Sequence, residues 1–257
     1  MTKIYTTEIA SDRLVSDNPL HQRLLKPYVV AGQWIKGDLL EVGCGEGRGI
    51  DLLLPNVNSY AAIDKIEGAI MSLKQKYPSC RFVAANLPPL PYPDASFDSI
   101  VSFQVIEHIE DDRFFLSELF RVLRPGGTAL ITTPNRPLSL SRNPWHIREY
   151  TADELRSLAS SIFSAVEMKG VTGNQRVMDY HERNRASVNR LMRWDVFDLQ
   201  HRLPASVLRV PYDLMNRFNR NRLHQASDSL VSSITQEDYL ITDQPEIALD
   251  LFLIARK

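Results

Sequence analysis

The sequence predicts an α/β fold, a doubly wound and mostly parallel sheet. Three observations predict it. Short, β-rich apolar runs alternate with amphipathic helical stretches, the pattern of strands joined by helical crossovers. A glycine-rich turn, Gly43-Cys44-Gly45-Glu46-Gly47, follows the first run directly. Glu41, Gly43, Asp64, Asn86, Gln104 and Asn135 all fall at or just beyond the carboxyl ends of predicted strands, where such sheets bind ligands.

Residues 18–35 form one or two helices, with Leu20, Leu24, Leu25, Tyr28, Val29 and Trp34 at mixed three- and four-residue spacings. The first strand spans 38–42. A helix from Arg48 to Leu54 is stopped by Pro55, and the second strand spans 59–64. Ile66 to Tyr77 is helical, with Ile66, Ile70 and Leu73 on one stripe, and Pro78 ends it. The third strand is Arg81 to Ala85. Pro88, Pro89, Pro91 and Pro93 then impose an extended loop, because proline lacks the donor that a helix or inner strand needs. The fourth strand is Phe97 to Phe103. An amphipathic helix from Phe114 to Leu123 is broken by Pro125-Gly126-Gly127, and the fifth strand is Thr128 to Thr133. Thr151 caps a further helix, with Glu154 placed to close a capping box. Two last strands lie near 163–170 and 247–255. No internal repeat or low-complexity tract interrupts this order.

The length of 257 residues suits one α/β domain with an insertion. With 44% hydrophobic and 24% charged residues, the balance is that of an ordinary soluble protein. A net charge of −1 argues against a whole-molecule polyanion binder, and two cysteines are too few for a disulfide framework. Cys44 reads as a small filler of the turn. The start of the chain shows no apolar signal segment, and no run approaches the roughly 18 apolar residues of a membrane span. A cytoplasmic location is the expectation.

The glycine turn narrows the ligand. Glycine permits a tight turn and a close approach of backbone to ligand. The dinucleotide fingerprint places a third glycine three residues after the second; here that place is Arg48, and the glycines are Gly43, Gly45 and Gly47. Glu41 would repel a pyrophosphate and favour a ligand carrying an ammonium, such as the methionine end of S-adenosylmethionine. Asp64, 21 residues after Gly43 and at the end of Tyr60-Ala61-Ala62-Ile63, is placed to accept from both ribose hydroxyls.

Several further segments carry a resemblance. They are Leu40 to Gly47, Ile63-Asp64, Leu90 to Asp98, Ser102 to Ile109, Arg121 to Gly127 and Thr133-Pro134-Asn135. In this order and spacing the chain resembles the class I S-adenosylmethionine-dependent methyltransferases, in the broad subgroup with ubiquinone-type and sugar-type members. The resemblance covers about 38–173 and the last strand. It implies a Rossmann-like sheet of seven strands, the last antiparallel. It also implies a cofactor-binding core (37–173 with 247–257); the residues before it read as an N-terminal helical segment (1–36), and 174–246, where the family usually has a short hairpin, as a helical, arginine-rich lid.

The resemblance assigns roles as well. Gly43, Cys44 and Gly45, with Glu41 behind them, would hold the methionine part of S-adenosylmethionine. Asp64 would hold the ribose, and Lys65 or Ile66 would border the adenine. Asn86, followed by Leu87, stands where the family usually has an aspartate facing the adenine amine; its carbonyl can still accept. Gln104 would lie beside the methionine carboxylate or the sulfonium. The product would be S-adenosylhomocysteine.

Methyl transfer to an alcohol requires loss of its proton, best to a group with a pKa near 7. His108, just after the fourth strand, and His146, in the loop after the fifth, are the candidate catalytic residues; each also has a plain structural reading. The segment Asn143 to Tyr150 resembles one common in methyltransferases of surface-polysaccharide or glycan biosynthesis. Glu107 is a conceivable metal ligand, but no cluster has metal-ligand spacing in the sequence, so no metal is expected.

In the insert, ten arginines, no lysine and five acids lie between Arg176 and His224, a local charge of +5. Val188, Leu191, Met192, Leu199 and Leu203 form one apolar stripe, and Val207, Leu208, Leu214, Met215 and Phe218 another. Two helices with solvated arginine faces account for this; a cap over an anionic acceptor, or weak contact with a membrane surface, is the sharper alternative. Nucleic acid is not expected, because the charge is local and no recognition motif accompanies it. The expected function is methylation of a small-molecule or glycan hydroxyl. The alternatives are a quinone or secondary-metabolite O-methyltransferase, for which Trp145 and Tyr150 would suit a flat ring, a catalytically silent cofactor-binding protein, and, least favoured, a nicotinamide oxidoreductase.

Overall fold

The computed structural model describes residues 15–193, 202–226 and 228–257. The strands are β1 (Asp38–Val42), β2 (Ser59–Asp64), β3 (Arg81–Ala84), β4 (Phe97–Phe103), β5 (Leu123–Pro134), β6 (Ala165–Gly173), β7 (Tyr239–Thr242) and β8 (Asp250–Arg256). They form one sheet in the order β3-β2-β1-β4-β5-β8-β6-β7. The pairings among β1 to β5 are parallel, and β8 runs antiparallel to both β5 and β6. The fold is therefore the expected α/β Rossmann-like one.

The sheet has eight strands where seven were expected. The extra strand, β7, comes from the end of the insert and pairs antiparallel with the edge of β6, from Gly170 with Thr242 to Gly173 with Tyr239. Its run Tyr-Leu-Ile-Thr is β-prone, and it buries Tyr239 while Leu240 stays exposed, the alternation of an edge strand with one covered face. The fifth strand also starts earlier than expected. The Pro125-Gly126-Gly127 segment does not break it. Instead β5 runs from Leu123, with an irregular register between Phe97 and Ser99 of β4 that absorbs the extra residues. Gly126 and Gly127 are tied to the last residue, Lys257, by backbone hydrogen bonds of 3.2 and 3.1 Å.

The helices are α1 (Asn18–Ala31), α2 (Ile50–Leu53), α3 (Glu67–Lys76), α4 (Asp112–Val122), α5 (Ala152–Ser160), α6 (Gln175–Met192), α7 (Ala205–Ala226) and α8 (Asp228–Ser233). The capping box on α5 forms as read: Thr151 Oγ1 accepts from the Glu154 amide and Glu154 Oε2 from the Thr151 amide. Alternate residues of each strand enter opposite cores. Leu40, Leu251 and Leu253 pack with Phe115, Leu119 and Leu155 of α4 and α5. Leu39, Phe252 and Ile254 pack on the other face with Tyr28, Ile50, Ile70 and Val177. Each such side chain contributes on the order of 1.5–3 kcal/mol, enough for the two covered faces to fix which strand ends point at a ligand.

The helix α1 is joined to the end of the insert. Asn18 Nδ2 donates to the carbonyls of Val231 and Ile234, both at 2.8 Å, and the Tyr239 hydroxyl donates to the Pro19 carbonyl at 2.6 Å. The second apolar stripe of the insert does not pack inward: Val207, Leu214 and Met215 are exposed. The face of α7 turned to the domain carries polar residues instead, with Asp213 accepting from the Trp145 indole at 3.2 Å and Arg217 meeting the buried Asp17 at 3.2 Å. Leu199 and the side chains of Leu191, Met192 and Phe218 lie outside the described residues. Among the described residues no helix is long and apolar enough to cross a membrane.

Candidate functional site

Two cavities meet at the carboxyl ends of β1, β2 and β4. The first, about 790 Å³, is lined by Gly43, Cys44, Gly45, Asp64, Lys65, Ile66, Asn86, Leu87 and Gln104, and roofed by His21, Leu24, Leu25 and Tyr28 of α1. The second, about 270 Å³, lies between α1, the loop after β5, α6 and α7. Leu24, Gln104 and His108 line both.

The turn after β1 is built for close approach. Gly43 has φ +83°, and a Cβ there would fall 2.3 Å from Val105 Cγ2. Its amides, however, are occupied. Gly43 N donates to the Ile63 carbonyl at 2.8 Å, Cys44 N reaches the same carbonyl at 3.4 Å, and Gly45 N donates to Asp64 Oδ2 at 2.8 Å. With these donors spent inside the protein, the turn cannot offer the row of N–H groups on which a phosphate rests.

Eight of the nine expected cofactor residues line the first cavity; Glu41 does not. Glu41 is buried beneath the turn, accepting from the Tyr28 hydroxyl at 2.7 Å and from the Tyr60 hydroxyl. Burial lifts its carboxyl to about 7, against the pull of the two tyrosine hydrogen bonds. Tyr28 comes from α1 and lies flat on Gly49, where a Cβ would fall 1.8 Å from its ring. Glu41 thus ties the roof to the floor. Burial also pushes the Cys44 thiol well up, so it stays protonated, a filler as read.

Asp64 is nearly covered, and the two backbone amides it accepts, Gly45 N at 2.8 Å and Ile66 N at 2.9 Å, hold its carboxylate at the cavity wall. Gln104 ends β4 with φ +59°, a left-handed backbone that a non-glycine residue adopts at a cost of the order of 1–3 kcal/mol. Its backbone N–H donates to the Thr132 carbonyl at 2.9 Å, and its side-chain Nε2 donates to Thr132 Oγ1 at 3.3 Å, at the junction of the cavities.

At the second cavity, His108 and His146 lie edge to face with ring centroids 5.0 Å apart. His108 Nδ1 donates to the Trp145 carbonyl at 2.8 Å. His146 Nδ1 faces Glu149 Oε1 at 2.6 Å, and Asn143 Nδ2 lies 2.7 Å from its Nε2. Glu149 in turn accepts from the Ser139 hydroxyl. Glu107 is buried, accepts from Thr133 Oγ1 at 3.0 Å, and is raised by burial to about 7, with His146 opposing the rise. Glu107, His108 and His146 each bring a ligand atom within 4.8 Å of the others. The sequence showed no metal spacing because His146 lies 38 residues after His108 and only the fold unites them.

Sequence reasoning missed several residues of the site. Glu149 has a faint signal, three residues after His146. His181 of α6 has none: it is buried at the second cavity, its Nε2 has no hydrogen-bond partner, and burial lowers it to about 4, with Arg23 adding to the fall. Arg23 itself stands 3.0 Å from the buried Asp250. No arginine of the insert lines the second cavity among the described residues. Arg209 lies over the Trp145 ring at 4.2 Å and Arg185 pairs with Glu182.

Residues 40–131 match the family described as a methyltransferase domain. A protein of Mycobacterium tuberculosis named as a probable S-adenosylmethionine-dependent methyltransferase is 43% identical over 157 residues, 59% of this chain and 57% of that one. The phthiotriol/phenolphthiotriol dimycocerosates methyltransferase of M. tuberculosis is 30% identical over 142 residues, 53% of this chain and 51% of that one. Each alignment spans little more than half the length of the relative. Among solved structures, a SAM-dependent methyltransferase of Thermotoga maritima shares the fold at a TM-score of 0.59 and 13% identity, over 93% of this chain and 92% of that one.

Proposed function

Because the chain belongs to the class I S-adenosylmethionine-dependent methyltransferases, with S-adenosylmethionine as the cofactor that membership implies, we propose that it methylates a hydroxyl of a small molecule or glycan held in the second cavity. The observation that carries this reading is the meeting of a cofactor-sized cavity with a polar one at Gln104 and His108. The residues of the first cavity fit the cofactor. The turn at Gly43 has no room for a Cβ, its spent amides disfavour a phosphate, and Asp64 presents a carboxylate to a diol. When bound, the cofactor supplies a methyl group on a sulfonium, an electrophile that needs no activation by acid.

The protein's part is placement and proton removal. Gln104, held by its hydrogen bonds to Thr132, borders both cavities. His146, with its Nδ1–H held by Glu149, accepts from Asn143 at Nε2, and once that amide turns away the same lone pair is placed to draw the acceptor's proton; His108 borders both cavities. Ser139, Ser141, Asn143, Tyr180, Asn184 and Tyr212 give the second cavity a polar lining, which supports a hydroxyl-rich acceptor over a flat apolar ring. The name of the phthiotriol methyltransferase, that of an enzyme acting on a triol, agrees with a hydroxyl acceptor. In this reading 37–173 with 247–257 is the catalytic core, and 174–246 with α1 closes the acceptor cavity as a lid. A cytoplasmic setting follows from the cofactor.

The test is transfer of labelled methyl from S-adenosylmethionine to a panel of acceptors, neutral sugars first, sugar nucleotides second and phenols third. Incorporation into a hydroxylated sugar supports the proposal. Incorporation into phenols alone replaces it with the quinone or secondary-metabolite reading, and binding of cofactor without any transfer favours the silent one.

A further inference from the structure

Three side chains that commonly bind metals meet where the cavities join. Glu107 and His108 follow β4, His146 comes from the loop after β5, and one ligand atom from each lies within 4.8 Å of the other two. We propose that Glu107, His108 and His146 form a binding site for a divalent cation, open on the side of the second cavity. That the cation takes the acceptor's hydroxyl oxygen rests on the methyltransferase reading; that the cation binds does not.

The chemistry of the donor set supports a cation. Two imidazoles and one carboxylate leave a coordination position for water or substrate, and they suit first-row transition ions better than the all-oxygen cages preferred by Ca²⁺. Each donor is also held from behind. His108 Nδ1 donates to the Trp145 carbonyl at 2.8 Å and His146 Nδ1 to Glu149 at 2.6 Å, so both rings carry their lone pair on Nε2. A carbonyl or carboxylate behind each imidazole is the arrangement that orients a metal-bound histidine and raises its basicity.

Glu107 is anchored twice. Its carboxylate accepts from Thr133 at 3.0 Å, and its carbonyl accepts from the amides of Ile147 at 2.8 Å and Arg148 at 3.2 Å. Those two bonds tie the loop that carries His146 to the residue beside it in the cluster. The Asn143 amide competes with a cation. Asn143 Nδ2 lies 2.7 Å from His146 Nε2, so a cation requires that amide to turn away. With a cation in place, a hydroxyl at the open position loses its proton to water at lower pH than in solution. His146 then acts as a ligand and not as the base: the cation acidifies the hydroxyl and water takes its proton.

The experiment uses the full chain, treated with chelator and free of cofactor and acceptor. Mn²⁺ binding is read from the loss of the free-ion paramagnetic resonance signal, and Zn²⁺ binding by calorimetry. One equivalent per chain is expected. His108→Ala, His146→Ala and Glu107→Gln each weaken binding at least tenfold, Glu149→Gln weakens it less, and Asn143→Ala strengthens it. Each variant is titrated with S-adenosylhomocysteine in parallel. Retained affinity there shows an intact fold for the His146 and Glu107 variants; His108 lines the first cavity, so the fold of its variant is read from circular dichroism and Tm, and Glu107→Gln, nearly isosteric, stands in for any histidine variant that fails to fold. Absence of stoichiometric Mn²⁺ and Zn²⁺ binding by the wild-type protein overturns the site, as does binding that all three substitutions leave unchanged. Failure of the methyltransferase reading would show differently, as loss of S-adenosylhomocysteine binding with cation binding intact.

Discussion

The two cavities are built in different ways. All but four of the residues lining the cofactor cavity come from one stretch, residues 43–109, the four being on α1. The second cavity draws on seven separate segments between Ser16 and Leu249. The first is a set of local strand-end turns whose chemistry follows from spacing along the chain. The second exists only after α1, β7 and the insert have closed on one another. A binding function can thus be encoded locally, while the partner it acts on is chosen by long-range assembly.

Substitutions sharpen this contrast, and the largest effect is expected at the chemistry of the acceptor side. His146→Ala is expected to lower turnover by roughly 10²–10⁴-fold and to leave S-adenosylhomocysteine affinity unchanged; Glu149→Gln is expected to follow it with a smaller loss. Both are read by steady-state kinetics on the acceptor that the panel identifies. An equal loss of cofactor affinity would break the separation between the cavities.

Asp64→Ala acts on the other half. It removes the carboxylate that would face the ribose and releases the Gly45 and Ile66 amides. A loss of about 1–3 kcal/mol in S-adenosylhomocysteine binding is expected by calorimetry. An unchanged affinity would remove Asp64 from the site.

Gly49→Ala tests how α1 is fixed over the turn. The new methyl group would collide with the Tyr28 ring and displace its hydroxyl from Glu41. A destabilisation of about 1–3 kcal/mol, seen as a lower Tm, is expected. No change would mean that the roof can shift freely.

Glu41 gives a pH signature. Its folded carboxyl holds its proton up to about 7, above the ordinary 4.5. Between these values the unfolded chain ionises while the folded one stays protonated, so this residue's share of stability is full below about 4.5 and declines as pH rises through 7. The slope from one group is at most about 1.4 kcal/mol per pH unit. Glu41→Gln is expected to flatten denaturant-derived stability over pH 5–7; an identical slope in the variant would contradict the raised carboxyl. The smallest effect is expected from Arg209→Ala, which removes a cation over the Trp145 ring and costs about 0.5–1 kcal/mol or less, read as a modest rise in acceptor KM.

How much was legible follows the same division. β1, β2 and β4 lie where their apolar runs placed them, and Asp64, Asn86 and Gln104 reach the cavity because strand ends are readable from local pattern. Glu41 was readable as an acid near the turn, but its two tyrosine partners come from α1 and β2, and no spacing rule announces them. The Glu107–His108–His146 cluster was hidden for the same reason. The insert misled in a third way. An apolar stripe at helical spacing ordinarily faces a core, yet Val207 and Leu214 point outward while Tyr212 and Asn216 line the cavity. Around a polar site, the inward face of a helix need not be the apolar one.

The most direct measurement is a calorimetric titration of the folded wild-type chain with S-adenosylhomocysteine, beside NADH and beside the Asp64→Ala variant. Micromolar binding of S-adenosylhomocysteine, weakened by Asp64→Ala and not matched by NADH, is the predicted result. Binding of NADH in its place, or no nucleoside binding by a protein shown to be folded, would contradict the assignment of the first cavity.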